Sequence, residues 1–318
     1  MQQRTLGSIG RVSSLALGGG GIGSVWGETS RAEAVATTRE AVESGITLLD
    51  LAPSYGNGEA ESVVGEAFEG NLPSDVRVTT KCQLGAPPEA EVYDRISQSL
   101  TSSLNRLQLE RIDLFILHSN IVPDGAGSQR DTPLTLFREA VRPAFERIVQ
   151  EGRAAAWGIT GIGWPSSVRR VLADKDRPAI VQCIANLLDS CGGLQRFDEP
   201  LTPRETIALA QQRGVGVMGI RAAQAGALTD AFDRDLPDSH PDMVDFRRAA
   251  PFRVIAAELG VSAAHLAHRY ALSIEGVDTL VLGVKNREEL RDCLSAASTE
   301  SLDQVLCERI DSAVSNRL

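Results

Sequence analysis

The sequence predicts an α/β fold: a closed parallel (β/α)8 TIM barrel with an N-terminal plug hairpin and an extra C-terminal helix. Three observations lead there. Short β-branched or leucine-rich runs alternate with longer amphipathic stretches along the whole chain. There are eight such runs, each followed by a helical pattern, in 318 residues, which is the size of one such barrel. Seven of the eight end in a polar, chargeable or backbone-permissive residue, as expected where a site lies at the C-terminal ends of barrel strands.

The elements follow in order. Arg4–Leu6 and Arg11–Ser13 flank Gly7-Ser8-Ile9-Gly10, a hairpin pattern suited to closing the barrel's N-terminal mouth. Strands are predicted at Leu15–Leu17, Thr47–Asp50, Val76–Thr80, Ile112–Leu117, Ala155–Ile159, Ile180–Cys183, Val215–Ile220 and Thr279–Leu282. Helical patterns between them include Arg31–Ser44, Tyr93–Arg106, Phe137–Gln150, Thr202–Arg213 and Ser262–Ser273. The pairs Ser44-Gly45, Glu151-Gly152 and Arg213-Gly214 supply the glycine that helix C-termini favour. Leu302–Val314 reads as the additional helix. Two connections are long, Ser119–Pro133 and Arg221–Asp245, and long loops in a compact domain are functional or mobile. No linker or low-complexity block interrupts residues 1–318, so a single domain is expected.

Composition narrows the function. Forty-two acids against 32 bases give a formal charge of −10, which disfavours a nucleic-acid surface. No apolar run approaches the ~18–20 residues of a membrane span, and the N-terminus lacks an apolar signal core. Five cysteines without a C-x-x-C support neither a disulfide framework nor a zinc ribbon. A cytoplasmic enzyme without a metal site, acting on a small molecule, is the expectation. The oligomeric state is not legible. Positive charge is supplied almost wholly by arginine, the lysines being Lys81, Lys175 and Lys285 alone.

The strand ends carry the chemistry. They read Asp50, Lys81, His118, Thr160, Gln182 with Asn186, Arg221, and Gly283 with Lys285. The run Gly18-Gly19-Gly20-Gly21-Ile22-Gly23 fits G-x-G-x-x-G, but that fingerprint must open a helix directly. Here Trp26 and Gly27 intervene before a helix near Arg31, so the glycines read as a closely approached floor at the first strand's mouth. No G-K-[ST] follows, which excludes a P-loop. The second strand delivers Asp50, and the turn Pro53-Ser54-Tyr55-Gly56-Asn57-Gly58 presents one of only three tyrosines. Were Asp50, Tyr55, Lys81 and His118 to converge, they would form a proton-transfer device. A phenol of pKa ~10 is too weak an acid at neutral pH, and an adjacent ammonium lowers that value. Asp50 would keep Lys81 charged, and His118 would direct a carbonyl oxygen. Taken singly, Lys81 would be a solvated strand end, His118 a near-core histidine and Asp50 a helix cap. Their shared placement after apolar strands, and a lysine where arginine is the rule, favour the joint reading.

The run Gly45–Glu59, with its complete G-x-x-x-x-D-x-A-x-x-Y-G pattern, resembles the signature of the aldo-keto reductases. Lys81 and His118 match that family's other two catalytic positions, and the resemblance covers nearly the whole chain. Gly158-Ile159-Thr160-Gly161 is similar to a G-I-T-G branch of bacterial aldo/keto reductases and aldose dehydrogenases. The resemblance implies a nicotinamide cofactor bound without a Rossmann domain. It also implies Tyr55 as general acid or base, tuned by Lys81 and Asp50, and His118 as the carbonyl-orienting group. Gln182 matches a glutamine that holds the carboxamide, and Asn186 ends a Q-x-x-Y-N in which Ala185 replaces the tyrosine. Thr160-Gly161 stands where Ser-Asn is frequent, and Arg221 where an aromatic stacks on the nicotinamide. Gly283, Lys285, Asn286 and Arg287, at a helix start, resemble the adenosine-phosphate site, with Glu289 beside it and Asp292 toward the adenine. Cys293 departs from the family's frequent Asn. Trp26 and the loop Ser119–Pro133 are expected in the substrate pocket, whose usual L-H-x-P is Leu117-His118-Ser119-Asn120 here. Lys285 and Arg287 favour a 2′-phosphate and Glu289 opposes it, so NADP is expected with NAD as the alternative. The function implied is an NAD(P)-dependent oxidoreductase interconverting an aldehyde or ketone with an alcohol. An NAD-dependent aldose dehydrogenase and a non-catalytic regulatory subunit stand as alternatives.

Overall fold

The computed structural model describes residues 1–315 except 231, 233 and 300. Eight parallel strands close a barrel: β1 (Leu15–Gly18), β2 (Leu48–Asp50), β3 (Arg77–Cys82), β4 (Ile112–Leu117), β5 (Ala154–Thr160), β6 (Ile180–Ile184), β7 (Gly216–Ile220) and β8 (Thr279–Leu282). Each pairs with its neighbours in sequence, and β8 closes on β1. The helices are α1 (Arg31–Glu43), α2 (Glu59–Phe68), α3 (Val92–Leu107), α4 (Arg142–Gln150), α5 (Pro165–Ala173) and α6 (Pro203–Gln212), then α7 (Pro241–Arg248), α8 (Ala250–Glu258), α9 (Ala263–Ser273), α10 (Arg287–Ser298) and α11 (Gln304–Ser315).

Two-residue alternation divides the side chains. Ala16, Leu48, Leu114, Ile116, Ile180 and Met218 fill the lower barrel together with Leu6 and Val12 of the antiparallel hairpin Gln3–Leu6 and Gly10–Ser13. The hairpin therefore plugs the N-terminal mouth. Leu15, Leu17, Leu49, Val78, Phe115, Leu117, Val181 and Val217 face the helices on the outside. The same alternation sends Asp50, Thr79, Lys81 and Gln182 into the upper interior, where Asp50 pairs in register with Thr79 and Gln182 with Thr160.

One helix differs from expectation. The predicted helix over Phe137–Gln150 starts at Leu134 and passes through a wider π turn, Phe137–Val141, before α4. Pro143 sits at the start of α4 and has no N–H to donate, which removes the bond that would have kept the narrower turn. The second long connection, expected to be loop over Arg221–Asp245, contains the beginning of α7, capped by the His240 side chain on Asp242 N.

Candidate active site

Lys81 is the last but one residue of β3, and its side chain is fully buried in the barrel's upper interior. Its ammonium donates to three oxygens: Asp50 Oδ2 at 2.9 Å, the Leu51 carbonyl at 2.9 Å and Tyr55 OH at 3.1 Å. A compact tetrahedral donor suits that apex, whereas a planar guanidinium does not, which accounts for a lysine in an arginine-rich chain. Asp50 Oδ1 accepts from Thr79 Oγ1 at 2.9 Å and Gln182 Nε2 at 2.8 Å. The carboxylate is thus held on both oxygens.

The glycine run seats Tyr55. A Cβ at Gly19 would lie 3.0 Å from Tyr55 Cδ2, and one at Gly23 would lie 3.0 Å from the Tyr55 carbonyl. Gly19–Ile22 forms a single helical turn, and no longer helix starts there. Gly56, at φ +64°, turns the chain back so that Glu59 opens α2. A side chain there would strike the Gly23 carbonyl.

His118 follows β4, its N–H on the Cys82 carbonyl at 2.8 Å. Its ring stands edge-on to that of Tyr55, with centroids 5.8 Å apart and planes at 88°. Neither ring nitrogen has a hydrogen-bond partner among the described residues. Burial, aided by the nearby Lys81 charge, pushes its pKa down to about 3, so the imidazole is neutral at physiological pH. Burial opposes the charged form of Lys81 too, but Asp50 and Tyr55 outweigh it and its pKa stands above the ordinary value. Tyr55 differs from the sequence expectation of a lowered pKa. Burial raises its pKa, Lys81 pulls it down, Asp50 pushes it up, and the balance lies above the ordinary value.

The other predicted residues fall into two further groups. Thr160 is buried at the end of β5, and the Gln182 carbonyl beside it accepts Gly161 N at 2.7 Å. Asn186 is fully buried, with its amide on the Ser190 carbonyl at 2.9 Å and the Arg221 carbonyl at 3.1 Å. Arg221 adopts a left-handed φ of +59° and donates to Gln224 Oε1 at 2.8 Å, with Asp242 Oδ1 at 3.4 Å. Both side chains are engaged within the loops that follow β6 and β7.

At the start of α10, Asn286 caps Glu289 N at 2.9 Å. Glu289 accepts from Lys285 N at 2.8 Å and lies 3.3 Å from Lys285 Nζ. Arg287 offers its backbone N–H, Nε and Nη2 to Glu33 on α1, at 3.0, 3.1 and 3.0 Å. Two carboxylates therefore rest where the segment offers donors, so the donor set suits anionic oxygens. Asp292 is exposed on α10, and Gly283 is exposed after β8. Trp26, 41% exposed, packs over Gly20 and beside Gly283, with its Nε1 3.4 Å from where a Gly283 Cβ would be. It thus stands beside the mouth of β8. Sequence reasoning missed Thr79 and Glu33. Thr79 was visible as the inward-facing residue two before Lys81, whereas Glu33 lies 254 residues from its partner and carried no signal.

The sequence model described as "Aldo/keto reductase family" matches residues 14–315. L-galactose dehydrogenase of Arabidopsis thaliana is 29% identical over 304 residues, covering 94% of this chain and 88% of that protein. The solved aldo-keto reductase AKR11C1 from Bacillus halodurans (holo form) superposes with a TM-score of 0.74 at 23% identity, covering 98% of this chain and 96% of its own. An aldo-keto reductase from Klebsiella pneumoniae in complex with NADPH gives 0.70 at 21% identity, covering 98% and 95%.

Proposed function

The chain belongs to the aldo/keto reductase family, and from that premise we propose that it interconverts a small aldehyde or ketone with an alcohol, using Tyr55 as general acid and base. The observation that carries the reading is the Lys81 ammonium, fully buried and bonded at once to Asp50 and to the Tyr55 hydroxyl. The nicotinamide, when bound, supplies or accepts the hydride at the carbonyl carbon. In reduction Tyr55 OH donates its proton to the carbonyl oxygen, and Lys81 stabilises the phenolate left behind. Asp50, held by Thr79 and Gln182, keeps Lys81 charged and aimed. The neutral His118 ring donates an N–H to the same carbonyl oxygen and fixes its direction. In oxidation the proton runs the other way, from alcohol to phenolate.

Gly283, Lys285, Asn286 and Arg287 would hold the adenosine phosphate, with Glu289 beside it as the opposing charge paired to Lys285 and Asp292 toward the adenine. Gln182, Thr160, Asn186 and Arg221 would line the nicotinamide end, and Trp26 would join the substrate pocket. NADP is the proposed cofactor, in keeping with the NADPH of the Klebsiella pneumoniae structure. Its margin over NAD is narrow, because each cation already faces a carboxylate. That same pairing favours a second reading, oxidation of an aldose with NAD, consistent with the relative named L-galactose dehydrogenase. The described helices include none long and apolar enough to cross a membrane, and the five cysteines are free thiols, which fits a cytoplasmic enzyme.

Tyr55→Phe tests the assignment. With NADPH or NADH and a panel of aldehydes, ketones and aldoses, turnover should fall by about 10²–10⁴-fold. Cofactor affinity, read by fluorescence, should change by less than about twofold. Wild-type rates in the Phe variant would remove Tyr55 from the proton transfer.

A further inference from the structure

Behind the proposed proton relay, on the outer face of the barrel, lies a second buried charge cluster. Glu61 on α2 is fully buried. One of its oxygens accepts from Thr80 Oγ1, and the other accepts from Arg106 Nε at 2.6 Å. Thr80 is the residue before Lys81 on β3, and strand alternation turns it outward as Lys81 turns inward. Arg106, near the end of α3, also reaches Ser103 Oγ at 3.3 Å. Its side chain lies directly against the turn that presents Tyr55: a Cβ at Gly58 would be 2.7 Å from Arg106 Cδ and 2.8 Å from Nε. Glu61 itself lies in the first turn of α2, the helix which that turn opens.

The cluster therefore touches both elements that converge on the relay. Tyr55 arrives on a glycine-rich turn with three successive left-handed residues, Gly56, Asn57 and Gly58, a conformation that needs support from its surroundings. Lys81 arrives on a strand whose outward neighbour is Thr80. One carboxylate binds the strand through Thr80 and, through Arg106, the guanidinium on which the turn rests. A buried ion pair is weak as a source of net stability, because desolvation offsets much of the attraction. It is well suited to holding two elements in one register, since its geometry is specific.

We propose that Glu61 is a positioning residue: with Thr80 and Arg106 it ties the Tyr55 turn to the Lys81 strand and so sets the 3.1 Å approach of phenol and ammonium. This rests on the reading of Tyr55 as the acid and base. Loosening the tether lengthens that approach, weakens the pull of Lys81 on the phenol and lets its proton affinity rise.

The test variant is Thr80→Val, which deletes one outward hydroxyl and leaves the interior untouched. Glu61→Gln accompanies it, but breaking a buried pair can prevent folding, so it is the supporting arm. With NADPH and 4-nitrobenzaldehyde as probes, kcat for Thr80→Val should fall by about 5- to 20-fold. KM for the aldehyde and Kd for NADPH should stay within about twofold, and the alkaline limb of the kcat profile should move upward by about half a unit or more. Thr80→Ser restores the hydroxyl and should return all of these. A measurement free of turnover uses protein labelled with 13C at the tyrosine Cζ. Three resonances are expected, from Tyr55, Tyr93 and Tyr270, and Tyr55 is identified by its loss in Tyr55→Phe. Its titration midpoint should rise in Thr80→Val and return in Thr80→Ser. A folded Thr80→Val protein with wild-type kcat, pH limb and Tyr55 midpoint overturns the proposal and leaves Glu61 as a fold contact only. Should Tyr55→Phe retain turnover, the proposed function fails instead, and the Tyr55 midpoint still decides the tether.

Discussion

Replacing Lys81 with methionine separates charge from shape. Methionine fills a similar volume but removes the three bonds to Asp50, Leu51 and Tyr55. Two unit charges 3.1 Å apart interact by about 5 kcal/mol at an effective dielectric of ~20, so the ammonium strongly favours the phenolate and pulls the Tyr55 pKa down. Burial already holds the Tyr55 phenol above its ordinary pKa, so without Lys81 it rises further. In the oxidation direction, where phenolate is the base, the rising limb of the pH profile should move up by more than about one unit. At neutral pH turnover should drop by about 10³-fold.

Stability responds in a different way. The variant leaves Asp50 a buried carboxylate with only Thr79 and Gln182 as donors, which should cost about 3–5 kcal/mol in urea unfolding. The pKa of Lys81 is raised in the folded protein, so its contribution is complete below the ordinary 10.5 and is lost as pH climbs through the raised value. The stability gap between wild type and Lys81→Met should therefore be constant near neutral pH and narrow only in strong alkali. Adding Asp50→Asn to Lys81→Met removes the orphan charge and should recover part of the stability with none of the turnover. A single variant with near-normal rate and an unshifted profile would make the buried ammonium a bystander to the chemistry and refute the reasoning.

Three further outcomes follow from the geometry. Because His118 is held neutral to about 3, an unfolded chain gains a proton there first as pH falls below about 6.5. Wild type should lose up to about 1.4 kcal/mol per pH unit from this group between pH 6.5 and 3, and urea midpoints at pH 7.5 and 5 should lie closer together in His118→Leu. Glu289→Gln and Glu33→Gln each free a cation at the start of α10, so each should tighten NADP by about 3- to 10-fold with NAD nearly unchanged, measured as dissociation constants. If wild type binds NAD tighter and Glu289→Gln erases that preference, the aldose-dehydrogenase reading gains. Gly21→Ala places a methyl onto the backbone carbonyl of Val284 and should lower stability by about 1–3 kcal/mol, read from urea unfolding.

The barrel was legible because its code is local. A two-residue alternation along each strand and a polar residue at its end suffice to place Asp50, Lys81 and Gln182 in the upper interior. The rarity of lysine was informative for a reason visible in three dimensions: a tetrahedral donor meets three oxygens around one point. Three features were not legible. The direction of the Tyr55 shift depends on how much water the fold removes, which no motif encodes. The partnership of Glu33 with Arg287 joins two helices far apart in sequence through the closure of β8 on β1. The engagement of Asn186 and Arg221 depends on aperiodic loops, and three left-handed residues there, Arg221, Gln224 and Ala225, follow from no turn signal in the sequence.

Four cations near the barrel mouth each face a carboxylate, yet the pairs differ in what they can do, and burial sets the difference. Lys81 and Asp50 have side chains 0% and 3% exposed, so neither partner can trade the other for water. Breaking that pair strands a charge, and the arrangement is fixed. Arg287 and Glu33, at 45% and 29%, are wet. A pair of that kind is worth at most about 1 kcal/mol, so an incoming phosphate can displace the carboxylate at small cost. Lys285 and Glu289 are of the same kind. Arg221 and Asp242, at 9% and 5%, fall with the buried class, and on this ground Arg221 keeps its loop in place and is not free to follow a ligand. The distinction predicts where salt acts: it should weaken cofactor discrimination at the start of α10 while leaving the titration of Tyr55, set by burial and by the buried Lys81–Asp50 pair, unchanged.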